Sequence, residues 1–355
     1  MPHARREHGR IAVRDLLFAV AGPPAAVRRP HPLDCTARLT RARHLPKGLF
    51  PMTGLLAATT SAADKRAAFR AGLTSGRIQR LPGAFNPLVA TLIQEIGFEG
   101  VYVSGAMLSA DLGLPDIGLT TLTEVAQRGG QIARVTDLPV LIDADTGFGE
   151  PMSAARTVTL LEDAGIAGCH LEDQVNPKRC GHLDGKTVVP TEEMVRRVRA
   201  AVSARRDPNF VVCARTDAAD VEGIEAAVER AKAYVDAGAD VIFVEALRTV
   251  AEFEQFRAAL PIPLLANMTE FGRSELIPAG LLESIGYNAV IYPLTTLRLA
   301  LWAAEAGLRE IHERGTQSGL IDRIQPSERL YELLRYERYA EFDSAIVDFS
   351  RGGKP

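Results

Sequence analysis

Apolar runs as long as a β-strand alternate with helical patterns eight times along this chain, and this alternation constrains the fold more than any other feature. The apolar runs lie at 78–82, 100–104, 140–145, 168–172, 210–215, 241–245, 263–267 and 289–294. The helical patterns lie near 87–96, 122–135, 153–164, 192–204, 223–237, 250–259, 274–285 and 296–313. Continuous apolar runs are typical of parallel strands buried on both faces. Eight strand–helix repeats therefore predict an α/β fold, a TIM-type (β/α)8 barrel.

A doubly wound open sheet is the alternative fold. It is weakened because no G-x-G-x-x-G motif follows the first strand.

Composition narrows the class of protein. The chain has 355 residues, 24% of them charged, and a net charge of -3, which argues against a nucleic-acid-binding protein. Its apolar runs are all shorter than the roughly 18 residues that a membrane span needs. Four cysteines without a CxxC pair indicate neither a zinc site nor a disulfide framework. We therefore expect a reducing, cytoplasmic setting without a membrane partner.

The first 51 residues differ from the rest because they are rich in arginine and proline and poor in acids. An organelle transit peptide would share the arginines, but serine is missing from this segment. We interpret residues 1–51 as a disordered extension, or as the product of a misassigned start upstream of Met52. Residues 52–355 are then the folded domain, with 319–355 as a C-terminal helical segment.

Polar side chains stand at the predicted carboxyl ends of the strands, where barrels of this type place their chemistry. Asp143 and Asp145 are two residues apart and so project to the same side, and Glu172 ends the next strand. Converging carboxylates repel one another unless a cation lies among them, and ligands made only of oxygen suit Mg²⁺. The alternative is that these acids form salt bridges with Arg215 and Lys178.

A thiol lies between two cations and an imidazole in the segment Lys-Arg-Cys-Gly-His at 178–182. Cations stabilise a thiolate, so we expect the pKa of Cys180 to lie below its usual value of about 8.5. Such a thiol serves as a nucleophile or as a general acid. Pro177, Gly181 and Gly185 predict a loop that can move. The alternative is a solvated basic loop that happens to contain a cysteine.

This pentapeptide resembles the signature of the isocitrate lyase and phosphoenolpyruvate mutase superfamily, and Asp-Ala-Asp-Thr-Gly-Phe-Gly at 143–149 resembles its metal motif. The resemblance runs from about residue 67 to 349 and is greatest to the 2-methylisocitrate lyases. Further matching segments lie at 102–105, 112–116, 214–218, 266–272 and 330–332. The implied activity is a retro-aldol cleavage of the tricarboxylate 2-methylisocitrate to pyruvate and succinate, in the methylcitrate cycle of propionate catabolism.

The resemblance also implies a metal site and a set of catalytic residues. Mg²⁺, with Mn²⁺ as the alternative ion, is expected on Asp143 and Asp145, and the outer shell is expected to comprise Asp116 and Glu172. Cys180 is expected to protonate the succinate carbanion as general acid. The remaining catalytic candidates are His182 in the same segment and, for the base, either Tyr102 or Lys178.

Substrate binding and assembly are implied in the same way. The expected substrate-binding residues are Ser104, Gly105, Ala106, Gly181, Arg215, Glu245, Asn267, Met268, Thr269 and Arg298. The family resemblance further implies a homotetramer in which the C-terminal helices are swapped between neighbouring subunits. One departure concerns Ser327, which occupies a position where methylisocitrate lyases carry an Arg for a substrate carboxylate. Arg329 lies two residues further on, and we expect that it does not replace that Arg.

Three features favour methylisocitrate over isocitrate as substrate. The 304 residues from Met52 onward lack the large insertions of isocitrate lyases. Phe243 and Leu294 stand where isocitrate lyases usually carry a Trp and the second Ser of a Ser-Pro-Ser motif, which leaves space for a methyl group. One methyl contact is worth roughly 1–3 kcal/mol, so discrimination should be partial. The alternatives are an isocitrate lyase, or a relative acting on oxaloacetate or phosphonates, which would lack the pentapeptide.

Overall fold

The computed structural model describes residues 58–352, with side chains to residue 347. The interpretation of residues 1–51 as an extension lies outside this range.

Eight parallel strands form one sheet that curls into a barrel. They are β1 (Gln79–Pro82), β2 (Val101–Val103), β3 (Val140–Asp143), β4 (Gly168–Glu172), β5 (Val211–Thr216), β6 (Val241–Val244), β7 (Leu264–Asn267) and β8 (Ala289–Tyr292). Each strand pairs with the next from β2 to β8, and β8 pairs with β1. A parallel bridge between Gly83 and Tyr102 brings β1 and β2 together. The TIM-type barrel prediction is confirmed, and the open doubly wound sheet is wrong.

Helices follow the strands around the outside of the sheet. They are α1 (Ala62–Leu73), α2 (Pro87–Ile96), α3 (Gly105–Asp111), α4 (Leu122–Ala133), α5 (Pro151–Asp163), α6 (Thr191–Ala204), α7 (Ala218–Val221), α8 (Ile224–Asp236), α9 (Val250–Ala259), α10 (Ala279–Ile285), α11 (Thr295–Arg314), α12 (Ser327–Leu333) and α13 (Tyr336–Gly352). A 3₁₀ turn, Ser318–Arg323, lies between α11 and α12. All eight predicted helical patterns are present, but α10 begins at Ala279 rather than near 274. Pro278 precedes it, and the residue before a proline is disfavoured in helical backbone.

Local sequence signals account for where several helices begin and end. Asn86 caps α2 by accepting a hydrogen bond from the amide of Val89, and Pro87 provides the first helical residue. Thr121 and Glu124 form a reciprocal capping box at the start of α4. Gly97 ends α2 in the left-handed conformation (φ 94°), which a residue without a Cβ adopts at little cost. The N-terminal caps lie at the edge where the strands end, and Gly97 lies at the opposite edge, where the next strand begins.

Two apolar layers hold the barrel together. One lies between the strands and the surrounding helices, and the other fills the barrel interior. The interior layer consists of Phe69, Leu73, Leu81, Tyr102, Leu141, Ala167, Val211, Cys213, Val241, Phe243, Leu265, Ala289 and Ile291. Its strand residues alternate with residues of the outer layer, as the two-residue period of a strand requires.

Helix α1 closes the barrel at the end away from the strand carboxyl termini. Phe69 and Leu73 join the interior layer. The buried ammonium of Lys65 donates to the carbonyls of Ala133 (2.8 Å) and Thr136 (2.6 Å) after α4. Arg66 donates to the carbonyl of Glu162 at the end of α5. Cations at helix C-termini satisfy free carbonyls and oppose the helix dipole, so this end of the molecule has a structural role.

The C-terminal helices carry many exposed apolar side chains. On α11, Leu299, Leu301, Trp302 and Leu308 are each at least 60% exposed. Exposed apolar residues continue through α12 and α13 to Val347. Among the described residues, no helix combines the length and the apolar character that crossing a bilayer would require. The exchange of C-terminal helices between subunits stays a prediction.

Candidate active site

The carboxyl ends of the strands surround a small polar cavity of about 50 Å³. It is lined by Tyr102, Ser104, Ala106, Asp116, Asp143, Lys178, Cys180, Gly181, His182, Arg215, Phe243, Glu245, Asn267, Thr269, Ile291, Pro293 and Leu294. Ligand sites usually enclose several hundred Å³. A ligand of ordinary size would therefore enter only if the loop above the cavity moved.

The turn after β3 presents its two aspartates through an unusual backbone path. Asp145 and Phe148 both have positive φ angles, 45° and 58°, and Gly147 between them has φ 88°. Non-glycine residues seldom adopt this conformation, and such residues concentrate at functional sites. The amide of Asp145 donates to Asp143 Oδ1 at 3.0 Å, which holds the two carboxylates side by side.

Three buried carboxyl groups share this region and differ in pKa. Burial and the neighbouring Asp143 raise the pKa of Asp145 to about 6, although Lys178 opposes the shift. Burial raises the pKa of Glu172 well above its usual value. The pKa of Asp143 is lowered, because His170, Lys178 and Arg215 together outweigh its burial.

Lys178 lies among these acids rather than beside the thiol. Its ammonium forms ion pairs with Asp116 and with Asp145, the latter at 2.9 Å. Burial lowers the pKa of Lys178, but the carboxylates of Asp145, Glu172 and Asp143 outweigh burial and raise the pKa well above its usual value. A protonated ammonium has no lone pair to accept a proton, so this arrangement does not favour Lys178 as the base.

The donor atoms fit a hydrated divalent cation. Both carboxylate oxygens of Glu172 are buried without a hydrogen-bond partner, and Arg215 Nε is 3.4 Å from the nearer one. Buried carboxylates normally find partners, so these oxygens are suited to a ligand or its water shell. Within residues 58–347, no three His, Cys, Asp or Glu side chains are grouped closely enough to enclose a metal ion directly. Mg²⁺ is usually bound through one or two carboxylates and keeps several waters, so it fits this set better than a fully coordinated metal does.

Cys180 reaches the cavity, but the expectation of a lowered pKa is wrong. Burial raises the pKa of the thiol, and the opposing effects of the His182 backbone hydrogen bond and of the Arg215 charge do not reverse the shift. Neighbours in sequence proved not to be neighbours in space. Lys178 is paired with acids, and the guanidinium of Arg179 donates to the carbonyls of Pro177 and Lys178. The thiol is therefore protonated at neutral pH.

The segment that carries Cys180 is a loop closed at its base by an isolated antiparallel bridge between Gln174 and Val188. The amide of Val175 donates to Thr187 O (2.9 Å), and the amide of Val189 donates to Asp173 O (2.8 Å). The side chain of Gln174 bonds both the amide and the carbonyl of Arg179. Residues 176–186 between these contacts form what we call the catalytic loop.

Gly181 allows the catalytic loop to approach the strand ends closely. A Cβ at this position would lie 2.3 Å from Arg215 Nη2 and 2.4 Å from Glu245 Cγ. No side chain can occupy that space, so glycine is required for the closed loop. Its carbonyl accepts a hydrogen bond from the ammonium of Lys186.

His182 is held through both of its ring nitrogens. Its Nδ1 accepts a hydrogen bond from the amide of Arg273 at 3.1 Å, so the ring proton is assigned to Nε2. Nε2 lies 3.0 Å from Glu245 Oε1 and 3.3 Å from Asn267 Nδ2. His182 therefore orients Glu245 in this closed arrangement.

Arg215 is the central cation of the cavity. It makes a two-point contact with Asp217 and pairs with Glu245 at 3.1 Å, and its guanidinium lies over the ring of Phe243. These contacts preorganise a side chain whose planar fork suits carboxylates. Burial opposes ionisation of Glu245, but Arg215 and His182 lower its pKa below the usual value.

The prediction missed His170, which lies in direct contact with Tyr102. Tyr102 Oη is 2.7 Å from His170 Nε2, and the two rings stack. Burial raises the pKa of Tyr102 and lowers that of His170. His170 precedes Glu172 by two residues on β4, so the alternation of a strand gave a signal that it faces the barrel interior.

The remaining predicted residues fall into two groups. Ser104, Ala106 and Thr269 line the cavity, and the amide of Gly105 donates to Asp143 Oδ2 at 3.2 Å. The side chains of Met268 and Arg298 are not brought to the cavity.

Each of these two side chains has other partners. Met268 is buried in the outer apolar layer, where its sulfur accepts from the amide of Ile277. Arg298 donates to the carbonyl of Glu270 at 2.5 Å and lies over Phe271, because that loop is nearer to α11 than the cavity is.

Comparisons with known proteins identify the family of this chain. The family model described as phosphoenolpyruvate phosphomutase matches residues 69–312. A probable 2-methylisocitrate lyase 2 of Corynebacterium glutamicum is 67% identical over 299 residues, which are 84% of this chain and 97% of that protein.

Two solved structures are similar throughout the barrel. One is oxaloacetate acetylhydrolase in complex with 3,3-difluorooxalacetate, with a TM-score of 0.74 and 37% identity; the match includes 83% of this chain and 98% of that protein. The other is phosphonopyruvate hydrolase in complex with oxalate and Mg²⁺, with a TM-score of 0.72 and 30% identity; the match includes 79% of this chain and 98% of that protein.

Proposed function

The chain belongs to the phosphoenolpyruvate phosphomutase family, and from this membership we propose that it is a lyase that cleaves 2-methylisocitrate to pyruvate and succinate. The single observation that carries the proposal is that Cys180, Asp143 and Arg215 line one small cavity at the carboxyl ends of the strands. Methylisocitrate cleavage would place the protein in the methylcitrate cycle of propionate catabolism.

The acidic cluster would hold the divalent metal ion that this superfamily uses, and we propose Mg²⁺, with Mn²⁺ as the alternative. Asp143 and Asp145 would hold the ion, and Asp116 and Glu172 would bond its water shell. When bound, the ion would lower the pKa of the substrate hydroxyl and stabilise the developing carbonyl. The unpartnered oxygens of Glu172 support this assignment.

Cys180 would donate the proton that completes the succinate product. Its raised pKa keeps the proton on sulfur at neutral pH, which is the form that a general acid requires. The closed loop places the thiol in the cavity lining beside Arg215 and Asn267.

The base for the substrate hydroxyl would be Tyr102, working through His170. A buried phenol with a raised pKa cannot accept a proton until it has released its own. His170 is neutral because burial lowers its pKa, and its Nε2 lies 2.7 Å from the phenol. We propose that the Tyr102 proton moves to His170 as the phenolate oxygen takes the substrate proton.

Arg215, Asn267 and Thr269 would bind the substrate carboxylates, with the amide of Gly181 as a further donor. Asn267 Oδ1 is buried without a partner, so this side chain has capacity left for a ligand. Phe243 and Leu294 form an apolar wall on which the extra methyl of 2-methylisocitrate would pack.

The assay compares two substrates directly. Pyruvate release from 2-methylisocitrate should exceed glyoxylate release from isocitrate, in kcat/KM, by about 10-fold or more, as one buried methyl contact predicts. The reverse preference would make the protein an isocitrate lyase. Acetate release from oxaloacetate in the same assay tests the activity named for the oxaloacetate acetylhydrolase relative.

We also propose that the protein acts as a homotetramer in the cytoplasm. The apolar side chains of α11 to α13 would be covered by the same helices of neighbouring subunits, because exposed apolar surface of this extent usually marks an interface. Light scattering of the purified protein measures the assembly, and a monomer would contradict it.

A further inference from the structure

Three cationic side chains converge on Asp220, a carboxylate on α7 outside the cavity. Lys186 Nζ lies 3.4 Å from Asp220 Oδ2, and Arg248 lies 3.1 Å from Asp220 Oδ1. Arg273 forms a third, closer ion pair with the same oxygen. The Asp220 side chain is only 9% exposed, so its pairs with Lys186 and Arg273 are screened little by solvent, whereas the Arg248 side chain is 60% exposed.

Lys186 connects Asp220 to the cavity. Its ammonium is almost completely buried and donates to the carbonyl of Gly181, the residue that packs against Arg215. The same ammonium lies 3.4 Å from Asp217, which holds Arg215 by a two-point contact. Lys186 therefore ties the middle of the catalytic loop to the acids that follow β5.

Arg273 connects Asp220 to the other end of the pentapeptide. Its amide donates to His182 Nδ1 and its Nε donates to the carbonyl of His182, each at 3.1 Å. Its guanidinium also pairs with Asp184 in the loop. Arg248, in contrast, touches Asp220 through its side chain without reaching the catalytic loop.

We propose that Asp220 anchors a latch, formed with Lys186 and Arg273, that holds the catalytic loop closed and so positions Cys180. The latch grips the carbonyls of Gly181 and His182, which follow Cys180 directly. Asp220 is thus a positioning residue that acts through the loop without touching substrate. The contribution of Asp220 to catalysis rests on the proposed function, whereas its role in holding the catalytic loop closed does not.

The chain offers a matched pair of variants. Arg273→Met and Arg248→Met each remove one cation from Asp220, but only Arg273 reaches the loop. The readout is the rate of Cys180 alkylation by iodoacetamide in the full-length protein without substrate, located by peptide mass spectrometry. Cys169 and Cys213 are buried and provide internal references.

We expect Arg273→Met and Asp220→Asn to raise the rate of Cys180 alkylation at least fivefold, and Arg248→Met to stay within twofold of wild type. Arg273→Lys should restore part of the protection. The melting temperature of Arg273→Met should match that of Arg248→Met. Should Asp220→Asn fail to fold, Lys186→Met takes its place.

Two results would overturn the latch. One is an unchanged alkylation rate in both Arg273→Met and Asp220→Asn. The other is an equal rise in Arg248→Met, which would show a general loosening around Asp220. Because alkylation needs no substrate, failure of the lyase assay leaves this test intact. In an active enzyme, the loop-opening variants should lower kcat more than they raise KM.

Discussion

Replacing Gly181 by alanine tests whether the closed loop is the active form. The added Cβ would lie 2.3 Å from Arg215 Nη2 and 2.4 Å from Glu245 Cγ, whereas ordinary contacts begin at 3.4 Å. Arg215 and Glu245 cannot move aside easily, because they bond each other at 3.1 Å and Arg215 is also held by Asp217. The loop must instead retreat by about 1 Å. A misplacement of about 1 Å costs about 100-fold in rate, or about 2.7 kcal/mol of transition-state stabilisation.

The assay for Gly181→Ala is kcat/KM for pyruvate release, with the melting temperature measured in parallel. Gly185→Ala is the matched control, since it adds the same methyl to the same loop with nothing within 4 Å. Its left-handed backbone (φ 84°) should cost about 1–2 kcal/mol of strain without closing off the cavity. We expect a 100-fold loss for Gly181→Ala and less than a fivefold loss for Gly185→Ala. Activity of Gly181→Ala within threefold of wild type would refute the role of the closed loop.

Three further predictions concern the acid, the metal and one carboxylate contact. Cys180→Ser should cut turnover at least 100-fold at a similar KM, because a hydroxyl is a far weaker acid. Since burial raises the pKa of the thiol above its usual value, kcat should stay level at neutral pH and fall only in alkaline solution. A fall in kcat between pH 6 and 8 would contradict that assignment. A chelator should abolish the activity of the wild type, and Mg²⁺ or Mn²⁺ should restore it, whereas Asp143→Asn should stay inactive after either ion is added. Activity that is insensitive to chelation would refute the metal requirement. Arg329 pairs with Glu95 at 2.6 Å, so Arg329→Ala should leave KM within twofold, while Ser327→Arg should lower KM for 2-methylisocitrate. A severe rise in KM for Arg329→Ala, with no gain from Ser327→Arg, would make Arg329 the carboxylate ligand.

The barrel could be predicted from the sequence because most strands are buried along their whole length, and polar residues end or directly follow most of them. That pattern predicts Asp143, Glu172 and Arg215 at one edge of the barrel. Helix α3 escaped prediction because it has only seven residues, too few for a helical period to be seen. Burial, which depends on the whole fold, could not be predicted from the same pattern.

The pKa of Cys180 shows why sequence neighbours mislead. Lys178 and Arg179 flank the thiol in the chain, yet their charged groups are held by Asp116 and by backbone carbonyls. Charge acts through space: Asp116, from a distant segment, holds the Lys178 ammonium, and the Arg179 guanidinium turns back to carbonyls of its own loop. Arg298, expected at the substrate, donates to the Glu270 carbonyl.

The paired base of the catalytic loop has an evolutionary consequence. The pairing of β4 with β5 ends at Glu172. The backbone hydrogen bonds of Val175 and Val189 then close the base of the catalytic loop before α6 begins. Selection can therefore rewrite residues 176–186 without disturbing strand pairing. Relatives named for oxaloacetate and phosphonopyruvate hydrolysis keep TM-scores of 0.74 and 0.72 at 37% and 30% identity. A loop that is paired only with itself at its base allows the same barrel to support a different reaction without loss of strand pairing.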